Sequence, residues 1–405
     1  MVQNIIHKLL LRRHFWRHAT FSEIAELYTS RMLRMLAVHM TAAFTSIFLY
    51  QSGYNVLFIA CFWGSFYLFK SIVSLPAAAV VARVGPKHSI LISNFLFIPA
   101  MVALALLPHF GIWVLSIVVI FQGVSAMLYQ IGYSVDFSKV KSVEHAGKEI
   151  AYMNIIEKVT TGLSPLIGGL LAFVFGPEVV IVIAAILFMF AALPLLKTAE
   201  PTRPKQKLNF KGLPKNLILP NIGSYMAIGF DVFTSGTVWT MFTAITIIGI
   251  SSSNEVYATN GILLSVVMLS ALAASYAYGK LIDHRRGLEL LQLSVIANSL
   301  THLMRPFIGT PITIAGLNVA NEAATTGYMM SFTRGNFDNA DLSGHRITYV
   351  GIVEGLANLG AFAGTMVLVL LVMWVGDIRA MTYFFFVAAV VVLLIATARF
   401  PLYRK

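Results

Sequence analysis

Seven charged residues interrupt stretches of chain that are otherwise apolar: Lys70, Glu157, Lys158, Asp231, Arg305, Glu322 and Glu354, with the titratable His39 beside them in the first such stretch. A charge in an apolar setting is expensive and faces a cavity, an ion partner or a proton source. A carboxyl buried in such a setting can change protonation in the working pH range. That makes Asp231, Glu322 and Glu354 candidate proton-coupling groups, with Glu157 in the same candidate set. Lys70 lies too deep to snorkel to either surface and needs a carboxylate. Arg305, just before Pro306, reads as an interfacial anchor. Glu157 and Lys158 are adjacent, so about 100° apart on a helix, and are not expected to pair directly. Residues three or four apart share a helix face, and four polar stripes follow that spacing. They are His39, Ser46 and Tyr50 (the small Ala43 filling the gap); Gln122, Ser125 and Tyr129; Asn221, Ser224, Asp231 and Ser235; and Asn318, Asn321, Glu322 and Thr325. For a single Ser or Thr, the plain alternative is a hydrogen bond back to its own helix. For Asp231 and Glu322 it is a structural buried carboxylate.

The elements that must carry these residues follow from composition. The 405 residues are 58% hydrophobic and 11% charged, against about 25% charged in soluble domains. Lipid solvates such a chain only as helices or closed barrels. Barrels need short alternating strands, and the apolar runs here are long. A crossing helix needs roughly 20 residues. Spans are predicted near 34–51, 56–82, 89–107, 111–133, 150–175, 178–196, 219–249, 256–279, 288–308, 311–333, 347–374 and 379–398. Lys and Arg occur in the N-terminal arm, in the 83–88, 134–149, 197–218, 280–287 and 334–346 loops, and in the C-terminal tail. The alternate connections carry none, apart from Arg379 at the far edge of the last. This bias puts both termini in the cytoplasm of a protein of the cell (plasma or inner) membrane.

The chain then divides into a cytoplasmic amphipathic arm (1–33), a six-helix half (34–196), a basic linker (197–218), a second six-helix half (219–398) and a cytoplasmic tail (399–405). The arm is expected on the membrane surface, with a disordered basic tail as the alternative. The net charge of +12 would suit nucleic acid, but the loop placement of the charges opposes that partner. The lone Cys61 excludes an intrachain disulfide and a Cys metal cluster. With no GxxxxGK[ST], no HExxH and no Cys nucleophile, neither ATP-driven pumping nor an enzyme is indicated, and no cofactor or metal is expected.

Shifting the chain by 197 residues lays 147–157 over 344–354. Gly147, Ile150, Tyr152, Ile155 and Glu157 then coincide with Gly344, Ile347, Tyr349, Ile352 and Glu354. Both segments open the fifth helix of their half, as two parallel six-helix repeats would.

With the repeat in place, the chain resembles the major facilitator superfamily. The segment GKLIDHRRG is similar to that family's loop signature through Gly279, Asp283, Arg285, Arg286 and Gly287, with looser spacing after the Asp. In the first-half copy Arg83, Gly85 and Lys87 fit, while Ala78 and Ala82 stand where the Gly and Asp would be. FQGVSA resembles the fourth-helix motif through Gln122 and Gly123, with Val119 at its Arg position. SPLIGG, with Pro165, Gly168 and Gly169, is similar to an element of the antiporter branches; close helix packing is the alternative. The resemblance implies twelve helices in two halves around a central cavity lined by the first and fourth helix of each half, which are the four striped spans. It also places the second helix of one half near the fifth of the other, nominating Glu354 for Lys70, with Glu157 as the alternative. The implied activity is secondary transport of a small solute by alternating access, with protons as the coupling ion and a lean to efflux by antiport. Uptake by symport, or a receptor on a transporter scaffold, are the alternatives. The expected partners are the solute and the lipid bilayer, and the expected state is a monomer.

Overall fold

The computed structural model describes residues 21–140, 146–196, 205–249 and 255–403. Residues 1–20 of the expected surface arm, 197–204 of the linker and parts of two loops lie outside the described residues. The described chain forms twelve rods. They are α1 (Phe21–Gln51), α2 (Val56–Val84), α3 (Pro86–Ala105), α4 (Trp113–Val140), α5 (Ala146–Phe175) and α6 (Pro177–Ala192). The second set is α7 (Lys215–Ile248), α8 (Glu255–Asp283), α9 (Gly287–Met304), α10 (Pro311–Leu342), α11 (Arg346–Val375) and α12 (Asp377–Val391).

Ten of these are long and apolar enough to cross a membrane; α9 and α10 are not among them. These two carry Asn298, His302, Asn318, Asn321 and Glu322, and polar residues at that density lower the apolarity of their spans; on α9 Asn298 and His302 are buried against other helices while Leu293, Ile296 and Leu300 are exposed. The first helix corrects the sequence reading. It runs unbroken from Phe21, so residues 21–33 are its first turns, and Arg31 and Arg34 sit inside it. Two arginines look like a span boundary in sequence, but here aromatic rings and hydrogen-bonding side chains cover them.

Corners are tight. Gly85 at φ 102° and Gly176 at φ 90° sit in a region that side chains with a Cβ avoid. Pro86 and Pro177 then open α3 and α6, where a missing N–H costs nothing.

The packing repeats across the halves. In the first half α1 lies on α5 and α6, α3 on α4 and α6, and α2 on α4; in the second, α7 lies on α11, α9 on α10 and α12, and α8 on α10. The halves meet where α2 packs on α11 and α5 on α8. Each contact joins the second helix of one half to the fifth of the other. Ser71 Oγ donates to Gly355 O at 2.9 Å in one, and Ser265 Oγ donates to Gly162 O at 2.5 Å in the other. The small residues of SPLIGG belong to the second contact: a Cβ on Gly169 would sit 2.5 Å from Tyr257 O, and one on Gly261 would sit 2.3 Å from Pro165 O. Close packing accounts for that element, so it carries no information about transport direction. At the basic end, the linker bridges both halves. Lys205 N and Gln206 N donate to Arg83 O (2.8 Å) and Ala82 O (3.0 Å), while Asn209 O accepts from Thr348 Oγ1 at 3.3 Å.

Candidate functional site

Between the halves, four charges form two ion pairs. Arg31 of α1 holds Glu157 of α5 (Nη2–Oε2 2.5 Å), and Lys158 of α5 holds Glu322 of α10 (Nζ–Oε1 2.5 Å). Neighbours on one helix thus turn to different partners, as their 100° offset requires. The second pair crosses from one half to the other. Its side chains keep 28% and 18% of their surface exposed, and those of the first pair 11% and 24%. Arg31 also donates to Tyr129 Oη at 3.2 Å and lies 3.7 Å over the Tyr133 ring. His39, two turns along α1, is within electrostatic reach of Arg31, Glu157, Lys158 and Glu322. Five titratable groups therefore share one low-dielectric space.

One turn beyond Arg31, Arg34 points into the first half and is 2% exposed. Its guanidinium donates to Asn94 Oδ1 (2.7 Å), Ser93 Oγ (3.2 Å) and Ser125 Oγ (3.2 Å), and lies 4.0 Å over the Tyr129 ring. Among the described residues no carboxylate reaches it.

Asp231 departs from its expected place. It is 1% exposed and sealed inside the second half, not presented to the space between halves. One oxygen faces His302 Nε2 at 2.6 Å and accepts from Ser235 Oγ at 3.3 Å; the other accepts from Asn298 Nδ2 at 3.1 Å and from Tyr328 Oη. Arg305 joins the same network through Ser235 Oγ and Asn321 Oδ1, both 3.1 Å away. It is 1% exposed and lies 5.0 Å from the Trp239 ring centre, so it is a core cation and not an interfacial anchor. A buried carboxylate retains a nearby cation because either charge alone would be costly.

The α10 stripe also divides. Only Glu322 reaches the other half. Asn318 accepts from Trp239 Nε1 at 2.7 Å, and Asn321 accepts from Thr301 and Arg305. The correction has a simple cause: the side chains three and four residues apart fan over enough arc to meet two different neighbours. Asn221 ties α7 to the tail, accepting from Arg399 N at 2.6 Å, and Ser224 bonds back to its own helix. Ser46 accepts from Trp63 Nε1 at 2.9 Å, joining α1 to α2. Gln122 is half-buried on α4.

Lys70 lies over the rings of Phe66 (5.2 Å) and Tyr67 (5.4 Å), and the carboxylate it senses is Glu354 across the α2–α11 contact. Glu354 also accepts from Gln130 of α4. Glu157, the other nominee, is held by Arg31. At the basic end, Gly279 is buried and Asp283 half-buried in α8, and Arg285 turns the chain at φ 61°. Arg286 pairs with Glu289 one turn on (2.8 Å), and Gly287 lies against Tyr403. In the first half, Arg83 is exposed and Lys87 is buried against Glu26 of α1 at 3.2 Å. Arg286 and Lys87 thus make their ion pairs within their own halves.

Arg31, Arg34 and His302 are the residues that sequence reasoning missed. Asn298, His302 and Arg305 recur at one helical face of α9, a signal available in the sequence. Arg31 and Arg34 offered none once the span was begun at residue 34, which leaves one outside it and the other at its edge.

The architecture has close counterparts among solved structures. It is similar to the human organic anion transporter MFSD10 (TETRAN) at 13% identity and TM-score 0.67, covering 92% of this chain and 99% of that one. It is similar to the E. coli fucose:proton symporter FucP at 14% identity and TM-score 0.64, covering 92% and 97%. It is similar to a bacterial homologue of the iron transporter ferroportin at 13% and 0.63, covering 92% and 97%. At these identities the likeness is one of fold. No curated protein matches the sequence. The sequence profile of the Major Facilitator Superfamily matches residues 27–334, and with twelve rods in two repeat-related halves meeting at α2–α11 and α5–α8, the chain belongs to that superfamily of secondary transporters.

Proposed function

We propose that this transporter moves a small solute by alternating access coupled to protons, with the Lys158–Glu322 pair as the switch between halves. The observation that carries the reading is that pair: a 2.5 Å ion pair joining α5 of one half to α10 of the other, partly exposed. Protonating Glu322 cancels the attraction and leaves Lys158 free to bind elsewhere or to hydrate. The groups facing the switch are Lys158, His39 and Tyr328 around Glu322, and Arg31, Lys158, His39, Tyr129 and Tyr133 around Glu157. Acid should therefore loosen the link between halves, and alkali should restore it. The same reading keeps 34–196 and 219–398 as the moving halves, 197–218 as their tether, and the basic end as the cytoplasmic end of a cell-membrane protein working as a monomer. The clustering of Arg83, Lys205, Arg285, Arg286 and Arg346 at one end supports that orientation.

The test uses spin labels on cysteines replacing Ser52 and Thr310 at one end and Arg83 and Arg286 at the other, in a Cys61→Ser background. Glu322→Gln should shift both interhalf distance distributions and make them insensitive to pH. In proteoliposomes it should abolish accumulation driven by a proton gradient. Native distances together with native pH dependence in this variant would remove Glu322 from the switch.

A further inference from the structure

The two halves bury opposite charges at the same place. The 197-residue repeat lays Arg34 over Asp231. Each sits on the first helix of its half and is held by an Asn of the third helix and a hydroxyl of the fourth: Asn94 and Ser125 for Arg34, Asn298 and Tyr328 for Asp231. Each is nearly inaccessible to solvent. The second half supplies its own counter-ion, because Arg305 shares the network of Asp231. In the first half, position 108, which the repeat lays under Arg305, is Pro108, and no described carboxylate approaches Arg34.

The charge imbalance continues to the space between halves. Arg31 and Lys158 face Glu157 and Glu322, and Arg34 lies one turn behind Arg31 inside the first half, so three cations stand near two carboxylates. Arg31 and Arg34 are stacked on one Tyr129 ring, whose centre lies 6.0 and 4.0 Å from their guanidinium carbons. An excess positive charge in a low-dielectric interior is costly, and an anion that neutralises it for part of the cycle relieves that cost. A guanidinium presents a planar fork that matches a carboxylate or phosphate.

Resting on the transport reading above, we propose that the solute is a small organic anion, bound by Arg31 and Lys158 in front of the uncompensated charge of Arg34. Its acidic group takes the place of Glu157 on Arg31 or of Glu322 on Lys158. The displaced carboxylate then takes up a proton from solution. The anion and the proton therefore occupy the site together and cross in the same direction, which makes the coupling symport.

The experiment measures thermal unfolding of the purified full chain with matched millimolar solutes: benzoate and phenyl phosphate as anions, benzamide as the neutral form and benzylamine as the cation. At least one anion should raise the midpoint, and the amide and amine should not; which anion does so separates carboxylate from phosphate. Arg34→Met should melt at or above the native midpoint without solute, since an uncompensated charge has been removed, and should lose the anion shift. Arg34→Lys should keep the shift at reduced size. If Arg34→Met melts well below the native protein or does not fold, and Arg34→Lys loses the shift, Arg34 is a structural cross-link and the proposal fails. It also fails if no anion raises the midpoint, or if the amine does so in their place. The pH-driven distance change of the Lys158–Glu322 switch does not depend on the solute, so its persistence in either case would leave the transport reading standing.

Discussion

Asp231 shows how a residue can look functional in sequence for reasons that turn out to be architectural. A lone carboxylate in an apolar span demands a partner, and sequence spacing suggested a cavity. The structure instead gives it His302, Tyr328, Asn298 and Ser235, with Arg305 behind them. Removing one member of a buried charge pair costs about 3–5 kcal/mol, because the other charge is left uncompensated. Asp231→Asn is therefore expected to lower stability by that order in thermal unfolding, and adding Arg305→Met should recover part of the loss. A single variant as stable as the native protein, or a double variant no better than the single, would show that the two charges are independent. The contrast with Glu322 was not legible in the sequence. Both residues lie in striped spans, but whether a carboxylate meets its own half or the other depends on interhelix contacts between residues 164 apart in the Lys158–Glu322 case. Arg31 and Arg34 were hidden for another reason. Basic residues usually end a span, and only the folded structure supplies the tyrosine faces and the Ser and Asn side chains that keep them inside.

At the scale of elements, hydropathy together with the placement of Lys and Arg located all twelve rods, with ends displaced by a few residues except at the start of α1 and the ends of α4 and α10. The contacts that orient them were less visible. On α7 a Cβ added to Gly229 would sit 1.6 Å from Ala357 O, and on α11 one added to Gly360 would sit 1.9 Å from Met226 O. The two backbones touch at a crossing where only glycine fits, in the manner of small-residue helix contacts in membranes. Gly236, seven residues further along α7, has open space at the same atom. Overpacking a tight contact costs about 1–3 kcal/mol, occasionally more. Gly229→Ala and Gly360→Ala are thus expected to reduce folded yield and melting temperature, while Gly236→Ala leaves both unchanged. Equal behaviour of the three variants would mean that the α7–α11 crossing is looser than drawn. Between Gly229 and Gly236, the helix passes Asp231 and widens into a π turn at Thr234–Val238. Wide turns of this kind recur at functional positions, and here the turn supplies Thr234 O and Ser235 to Arg305.

At the scale of the whole molecule, orientation rests on charge rather than on packing, since an antiparallel bundle packs equally well either way up. The connections at one end carry Arg83, Lys205, Lys207, Arg285, Arg286 and Arg346; the α1–α2 and α3–α4 connections at the other end carry neither Lys nor Arg. Basic loops are retained on the cytoplasmic side during insertion, and each of those six residues would have to cross the bilayer for the opposite orientation. The linker adds a second constraint. Its backbone is hydrogen-bonded to Arg83 O and Ala82 O on α2, and it accepts from Thr348 on α11, so it lies against the basic end and must share its side. Cysteines replacing Ser52 and Thr310, both exposed in the structure, are therefore expected to react with a membrane-impermeant maleimide added to intact cells. Cysteines replacing Lys205 and Arg286 are expected to react only after the membrane is opened. Cys61 is exposed on α2 and has to be replaced by Ser first, or its own reaction would mask the result. Labelling of position 205 in sealed cells would invert the map and, with it, the side on which the switch between Lys158 and Glu322 meets the proton supply.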